Sequence, residues 1–151
     1  MDKILFLDLE QTLIESWYVP DFCNRDFINK IIDQEGTNKI HLFSFAIIEE
    51  SDQLEFQKRF KNPIENHFNI EILSVISVRE MMNTIFKSQG AIFEKFEFIT
   101  IWGKLKAFQD YCAISFENTE CVLVDDIVPN TTYTLTDKNL IIRTIKAPVL
   151  G

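Results

Sequence analysis

Basic residues are scarce in this chain: 15 Lys and Arg stand against 23 Asp and Glu over 151 residues, a net charge of −8. Such a balance opposes non-specific attraction to nucleic acid or to an anionic membrane, so long nucleic acid is not an expected partner. An anionic substrate would need a local inversion of that field. Glycine and proline are also few, four of each, and no repeat, low-complexity stretch or linker-like shift divides the chain; one domain over 1–151 is expected. The three cysteines, Cys23, Cys112 and Cys121, are odd in number and lack CxxC spacing, which argues against a disulfide framework and against a zinc site. Their apolar neighbours Phe22, Tyr111 and Val122 suit reduced, buried thiols in a cytoplasmic protein. Long apolar runs are missing too. Ile4-Leu5-Phe6-Leu7 stops at Asp8, far short of the ~20 residues of a membrane span, so neither targeting segment nor membrane is expected.

What is present is core-forming material: 46% hydrophobic residues, fourteen of them Phe. A chain of this length can bury roughly 68–70% of its unfolded surface without help from disulfides or metal. The pattern alternates. Ile4–Leu7 reads as a strand buried on both faces; Phe27, Ile28, Ile31 and Ile32 follow helical spacing up to Gly36; Ile40–Ile48 reads as a second strand. Leu54, Phe56 and Phe60 predict a helix closing before Pro63, Ile72–Val78 a third strand, and Met81, Met82, Ile85 and Phe86 another helix. Phe96–Ile101 fits either period. Trp102, Leu105, Phe108 and Cys112 are helical, Cys121–Val124 is a fourth buried strand, and Leu140–Ile145 a fifth. Strands alternating with helices predict a three-layer α/β sandwich of Rossmann-like type around a mostly parallel five-stranded sheet.

Such sheets gather functional residues in the crevice beyond the carboxyl ends of their strands. Asp8 follows ILFL, Ser44 lies late in the second strand, and Asp125-Asp126 follow CVLV. Any one of these is explicable as a helix cap or turn former; their convergence on one rim points to chemistry.

The segment ILFLDLEQTL (4–13) resembles the first motif of the haloacid dehalogenase superfamily, a strand ending in Asp-x-Asp-x-Thr. Asp8 and Thr12 match; Glu10 stands where a second Asp is usual, and Gln11 where Gly is usual. Ser44 is similar to the family's second-motif Ser/Thr, Lys104 to the lysine opening the helix before the fourth motif, and VLVDD (122–126) to that acidic motif. The resemblance implies a Mg²⁺-dependent phosphomonoester hydrolase working through an aspartyl-phosphate. Asp8 would be the nucleophile, Glu10 the general acid, and Lys104 with the Ser44 hydroxyl the partners of the phosphoryl oxygens. Asp8, Asp125, Asp126 and the Glu10 position would supply the metal ligands, and Thr12 would complete the substrate side.

The chemistry explains why these groups belong together. A carboxylate can attack a phosphate ester in line and divide hydrolysis into two easier steps, but several carboxylates repel a phosphate dianion, by roughly 1 kcal/mol per charge pair at 4 Å in water and about 4 at an effective dielectric near 20. A cation is therefore required, and Mg²⁺ accepts one or two carboxylates together with water and phosphate oxygens. The longer Glu10 side chain displaces its carboxyl by about a bond length, and a misplacement near 1 Å can cost about 10²-fold in rate. A positive φ at Gln11 would add strain of order 1–2 kcal/mol.

Alternatives stay open at several positions. Ser44, between Phe43 and Phe45, fits a ligand or an internal backbone partner; Lys106 competes with Lys104, although about 200° of helix separates them, so only one faces the rim. His41 and His67 have no partners at metal-ligand spacing. The aromatic stretch Trp17-Tyr18-Val19-Pro20-Asp21-Phe22 could lid the pocket, stack on a base, contact a protein, or pack on the next helix; Trp17 is the candidate substrate contact. Neither interval between motifs is long enough for a separate cap domain. The resemblance thus implies a minimal, cap-less member whose open site suits a bulky or nucleotide-type substrate, or a protein partner or second copy that completes the pocket. A phospho-receiver domain uses similar residues but places its Asp-Asp pair after the first strand, and here the pair follows the fourth. A haloacid-dehalogenase-like binding or regulatory protein with weak or no turnover is the other class compatible with Glu10 and Gln11.

Overall fold

In a computed structural model, which describes residues 1–87 and 94–149, the buried apolar runs form the centre of a sheet. Residues 88–93 and 150–151 of the expected 1–151 domain lie outside the described residues. Strands β1 (Asp2–Leu7), β2 (Lys39–Phe43), β3 (Glu71–Ile76), β4 (Thr119–Asp125), β5 (Thr131–Leu135) and β6 (Leu140–Lys146) make one sheet in the order β3-β2-β1-β4-β6-β5. All neighbours are parallel except β5 and β6, which pair antiparallel. Six strands are present where the sequence pattern predicts five. The additional one, TTYTL, is an edge strand with Thr132, Tyr133 and Thr134 all exposed, so it carries no buried alternation.

Helices α1 (Arg25–Glu35), α2 (Glu50–Arg59) and α3 (Lys61–Phe68) share a core with Leu5, Leu7, Leu42, Val122 and Val124. Helices α4 (Val78–Phe86), α5 (Lys95–Glu97) and α6 (Lys104–Ser115) lie between β3 and β4 in the chain; α4 and α6 share a second core with Phe6, Phe43, Cys121, Leu123 and Ile142. The two clusters take alternate residues of the same strands, which is the period-2 signature of a sheet covered on both faces. Phe6 sits edge-on to Phe108 with ring centroids 5.1 Å apart, the favourable geometry for aromatic pairs. Cys112 and Cys121 are free and buried in this second core. No helix of the described residues is long and apolar enough to cross a membrane.

Local signals explain the remaining boundaries. Gly36, at φ 75°, stops α1 by donating its N–H to the Ile32 carbonyl, a left-handed position that favours glycine. The second strand ends at Phe43 rather than Ile48: the Ser44 hydroxyl accepts the Ala46 N–H at 3.1 Å and turns the chain. Past Arg59 the chain continues as α3, with Pro63 in its first turn, where its missing N–H has no helical partner to lose. Leu54 is exposed, so Phe56 and Phe60 alone carry the core face of that region. Ser77 ends the third strand and caps α4 through its side chain, which accepts the Glu80 N–H. The doubtful stretch 96–101 is helical, α5 widening into a π turn over Phe98–Trp102.

Candidate active site

The strand order reverses between β1 and β4, so the loops leaving their carboxyl ends diverge and open a crevice. Asp8 and Asp125 stand at its mouth for a reason of register. Leu7 pairs with Val124, and the Asp8 N–H donates to the Val124 carbonyl at 3.0 Å, so Asp8 comes level with Asp125. Alternation turns both carboxylates toward the face occupied by Phe6 and Leu123, where α6 packs.

Helix α6 begins with Lys104 because Gly103 adopts φ 82°, ψ 164°, a combination essentially restricted to glycine. Lys104 is only 4% exposed, and its ammonium lies 3.1 Å from Asp8 Oδ1 and 2.7 Å from Asp125 Oδ2. The rings of Phe43 and Phe45 approach the same nitrogen at 5.6 and 5.0 Å from their centroids, supplying a cation–π wall. Lys106 points elsewhere: it is exposed, pairs with Asp110 at 3.3 Å and covers the Trp102 ring.

The electrostatics follow from burial. Asp8 is raised from 3.8 to about 7; desolvation is the main cause, Lys104 opposes it and Asp125 adds to it. Burial also raises Asp126, with the Asp125 charge reinforcing it. Burial alone would lower Lys104, yet Asp8 and Asp125 more than offset this and hold it above its ordinary value. Two buried carboxylates therefore share one buried ammonium, with the half-buried Asp126 beside them.

Asp8, Asp125 and Asp126 each offer an oxygen within 4.8 Å of the others. The donor set is all oxygen and anionic, in excess over its cation, and Asp125 is fully buried with Oδ1 already holding the Ile127 N–H at 2.8 Å. Oδ2 of the same residue reaches Lys104 as an ion pair without an aligned hydrogen bond. A hard divalent cation fits such a set.

Glu10 is not part of this three-carboxylate group. Its Oε2 accepts the Trp17 N–H at 2.7 Å, pinning the loop that leaves the site. Gln11 has φ 63°, a left-handed conformation that glycine would adopt freely; its N–H bonds the Ile14 carbonyl at 2.7 Å. Asn24 ties the loop down by donating to the Gln11 and Thr12 carbonyls, each at 3.2 Å. Thr12 is completely buried and its hydroxyl has no hydrogen-bond partner among the described residues. The Trp17 ring packs on Phe60 at 4.8 Å and is half-buried, whereas Tyr18 is 91% exposed. Ser44 is buried between the two phenylalanines that face Lys104, its hydroxyl occupied as acceptor by Ala46.

His41 bonds Ser74 at 2.5 Å and His67 stacks on Phe22; neither joins the acidic cluster. Sequence reasoning missed the role of Phe43 and Phe45 around Lys104, although their i, i+2 spacing at a strand end was a usable signal for one shared face. No protein-family model, curated protein or solved structure matches this chain.

Proposed function

We propose that the chain is a Mg²⁺-dependent phosphomonoester hydrolase of the haloacid dehalogenase type, with Asp8 as nucleophile. One observation carries this reading: a buried ammonium clamped between Asp8 and Asp125, beside a third carboxylate that completes an oxygen ligand set. An Asp8 oxygen attacks phosphorus as the ester P–O bond breaks, and Glu10 gives its proton to the leaving oxygen. Water then attacks the aspartyl-phosphate, Glu10 takes a proton from it, and phosphate and the Asp8 carboxylate are restored. Lys104 holds a phosphoryl oxygen and keeps Asp8 oriented for attack. Asp8, Asp125 and Asp126 would hold Mg²⁺, whose charge offsets that of the carboxylates and polarises the phosphoryl group.

The Glu10 contact with Trp17 favours a second reading. A carboxylate that fastens a loop needs no role in proton transfer, and the protein would then bind a phosphorylated ligand with weak turnover. Hydrolysis of p-nitrophenyl phosphate separates the two: the enzyme requires Mg²⁺, stops with chelator and is abolished by Asp8→Asn. Turnover that survives Asp8→Asn rules out the aspartyl-phosphate route, and absence of turnover in the unaltered protein leaves the binding reading.

A further inference from the structure

We propose that two copies of this chain associate about a two-fold axis that crosses helix α6 midway between Lys106 and Asp110. One face of α6 is committed to the second core through Ala107, Phe108 and Cys112. The outer face is apolar as well, where a helix on an uncovered surface would be polar. Ile114 is 52% exposed, and with Ala113, Asp110, Lys106, Trp102 and Ile85 of α4 it lines a groove of about 260 Å³. Direct contacts hold that groove in shape. The Phe86 and Trp102 rings meet edge to face at 5.1 Å, and Trp102 Nε1 donates to Asp110 at 3.0 Å. The Lys106 ammonium stands 4.5 Å over the Trp102 ring and 3.3 Å from Asp110.

The order of these residues makes the face complementary to itself, which selects a second copy as its occupant. Across a two-fold axis residue i meets j while j meets i. With the helices antiparallel, Lys106 of each copy faces Asp110 of the other, so both charges find an opposite one; parallel helices would set lysine against lysine. The same register places Ile114 opposite Trp102 and Ala113 opposite Gly103. Nothing stands within 4 Å of where a Gly103 Cβ would be, and alanine is small, so the two backbones can come close there. As Lys106 turns to the second copy it uncovers the Trp102 ring, on which Ile114 of that copy packs, and apolar surface leaves water at each end of the contact. Lys104 lies on the far side of the helix among the carboxylates, so the acidic site takes no part and the inference stands apart from the hydrolase reading.

Sedimentation equilibrium of the full chain from about 1 to about 200 μM is expected to show monomers in exchange with dimers. Lys106→Asp and, separately, Asp110→Lys set like charges across both pairs and should raise the dimer dissociation constant at least about tenfold. Far-UV circular dichroism checks that each variant is folded. Mixed in equal amounts, these two variants again present opposite charges to each other and should form a mixed dimer. Ile114→Glu should also shift the parent toward monomer. A monomer at every concentration, an assembly that grows beyond two copies, a dimer indifferent to all three substitutions, or failure of the mixed pair to associate overturns the inference.

Discussion

Lys104 and Asp125 form an ion pair of 2.7 Å at a site where the aspartate is fully buried and the lysine nearly so. The same ammonium reaches Asp8 at 3.1 Å, so one side chain compensates carboxylates from the two strands at which the sheet order reverses. Removing it would leave buried charge unpaired. Lys104→Met, which preserves length and apolar stem, is therefore expected to lower stability of the metal-free protein by about 3–5 kcal/mol near neutral pH, read from urea denaturation. A loss under about 1 kcal/mol would mean that solvent reaches the carboxylates and that the pocket is not closed as described.

Asp8 gives a pH-dependent counterpart. Its folded value near 7 lies above its ordinary 3.8, so the folded state retains a proton that the unfolded chain has released. The stabilisation from that proton is complete below about 4 and is lost as pH rises through 7. Asn mimics the neutral form. In chelator, Asp8→Asn should match the unaltered protein below about 4, become progressively the more stable of the two between 4 and 7, and hold a constant margin above 7, while losing hydrolysis. Mg²⁺ should narrow the gap by binding the carboxylate form. A thermal-melting difference that does not vary with pH would contradict the burial of Asp8.

Much of this site was legible in sequence because it rests on simple local signals. A strand buried on both faces gives a continuous apolar run, and a carboxylate ending it, as in ILFLD and VLVDD, is conspicuous. Gly103 likewise marks the turn that places Lys104 at a helix start. The fifth strand was harder. Thr131–Leu135 pairs at an edge through its backbone and buries little, so hydrophobic periodicity cannot reveal it. Ile47 is as buried as a strand residue but lies beyond the turn at Ser44, which made the apolar run look longer than the strand. The Glu10 link to Trp17 depends on loop conformation, and residue spacing carries no trace of it.

At the opposite end of the sheet, Glu35 closes α1 against β1, β4 and β6. It is buried, accepts from Lys3 at 3.2 Å and from Arg143, and Arg143 also reaches Glu120 at 2.9 Å. Burial alone would raise Glu35, but the hydrogen bonds from Arg143 and Lys3 outweigh it and hold the carboxyl below 4.5. The corresponding stability is present above about 4.5 and is lost as pH falls through the folded value. Glu35→Gln is expected to cost about 1.5–3 kcal/mol near neutral pH, a deficit that shrinks on acidification below 4.5. Urea midpoints measured across that range check both parts, and a deficit that stays constant would show the carboxylate charge to be immaterial.

Gln11 offers a test in the loop itself. Its φ of 63° places an L side chain in a region that costs roughly 1–2 kcal/mol, against about 0.5–1 kcal/mol of extra chain entropy lost when glycine is ordered. The side chain also donates to the Glu15 carbonyl at 2.6 Å, an exposed contact that replaces water and contributes little. Gln11→Gly is therefore expected to stabilise the protein by about 0.5 kcal/mol, whereas Gln11→Val, β-branched and intolerant of positive φ, should destabilise it by more than 1 kcal/mol. Denaturant midpoints rank the three. Because Asn24 fixes the Gln11 and Thr12 carbonyls, the glycine variant should keep the position of Glu10 and with it the proposed Mg²⁺-dependent turnover. A fall in kcat without loss of stability would show instead that the Gln11 side chain, through Glu15, holds the Glu10 carboxyl in register with the site.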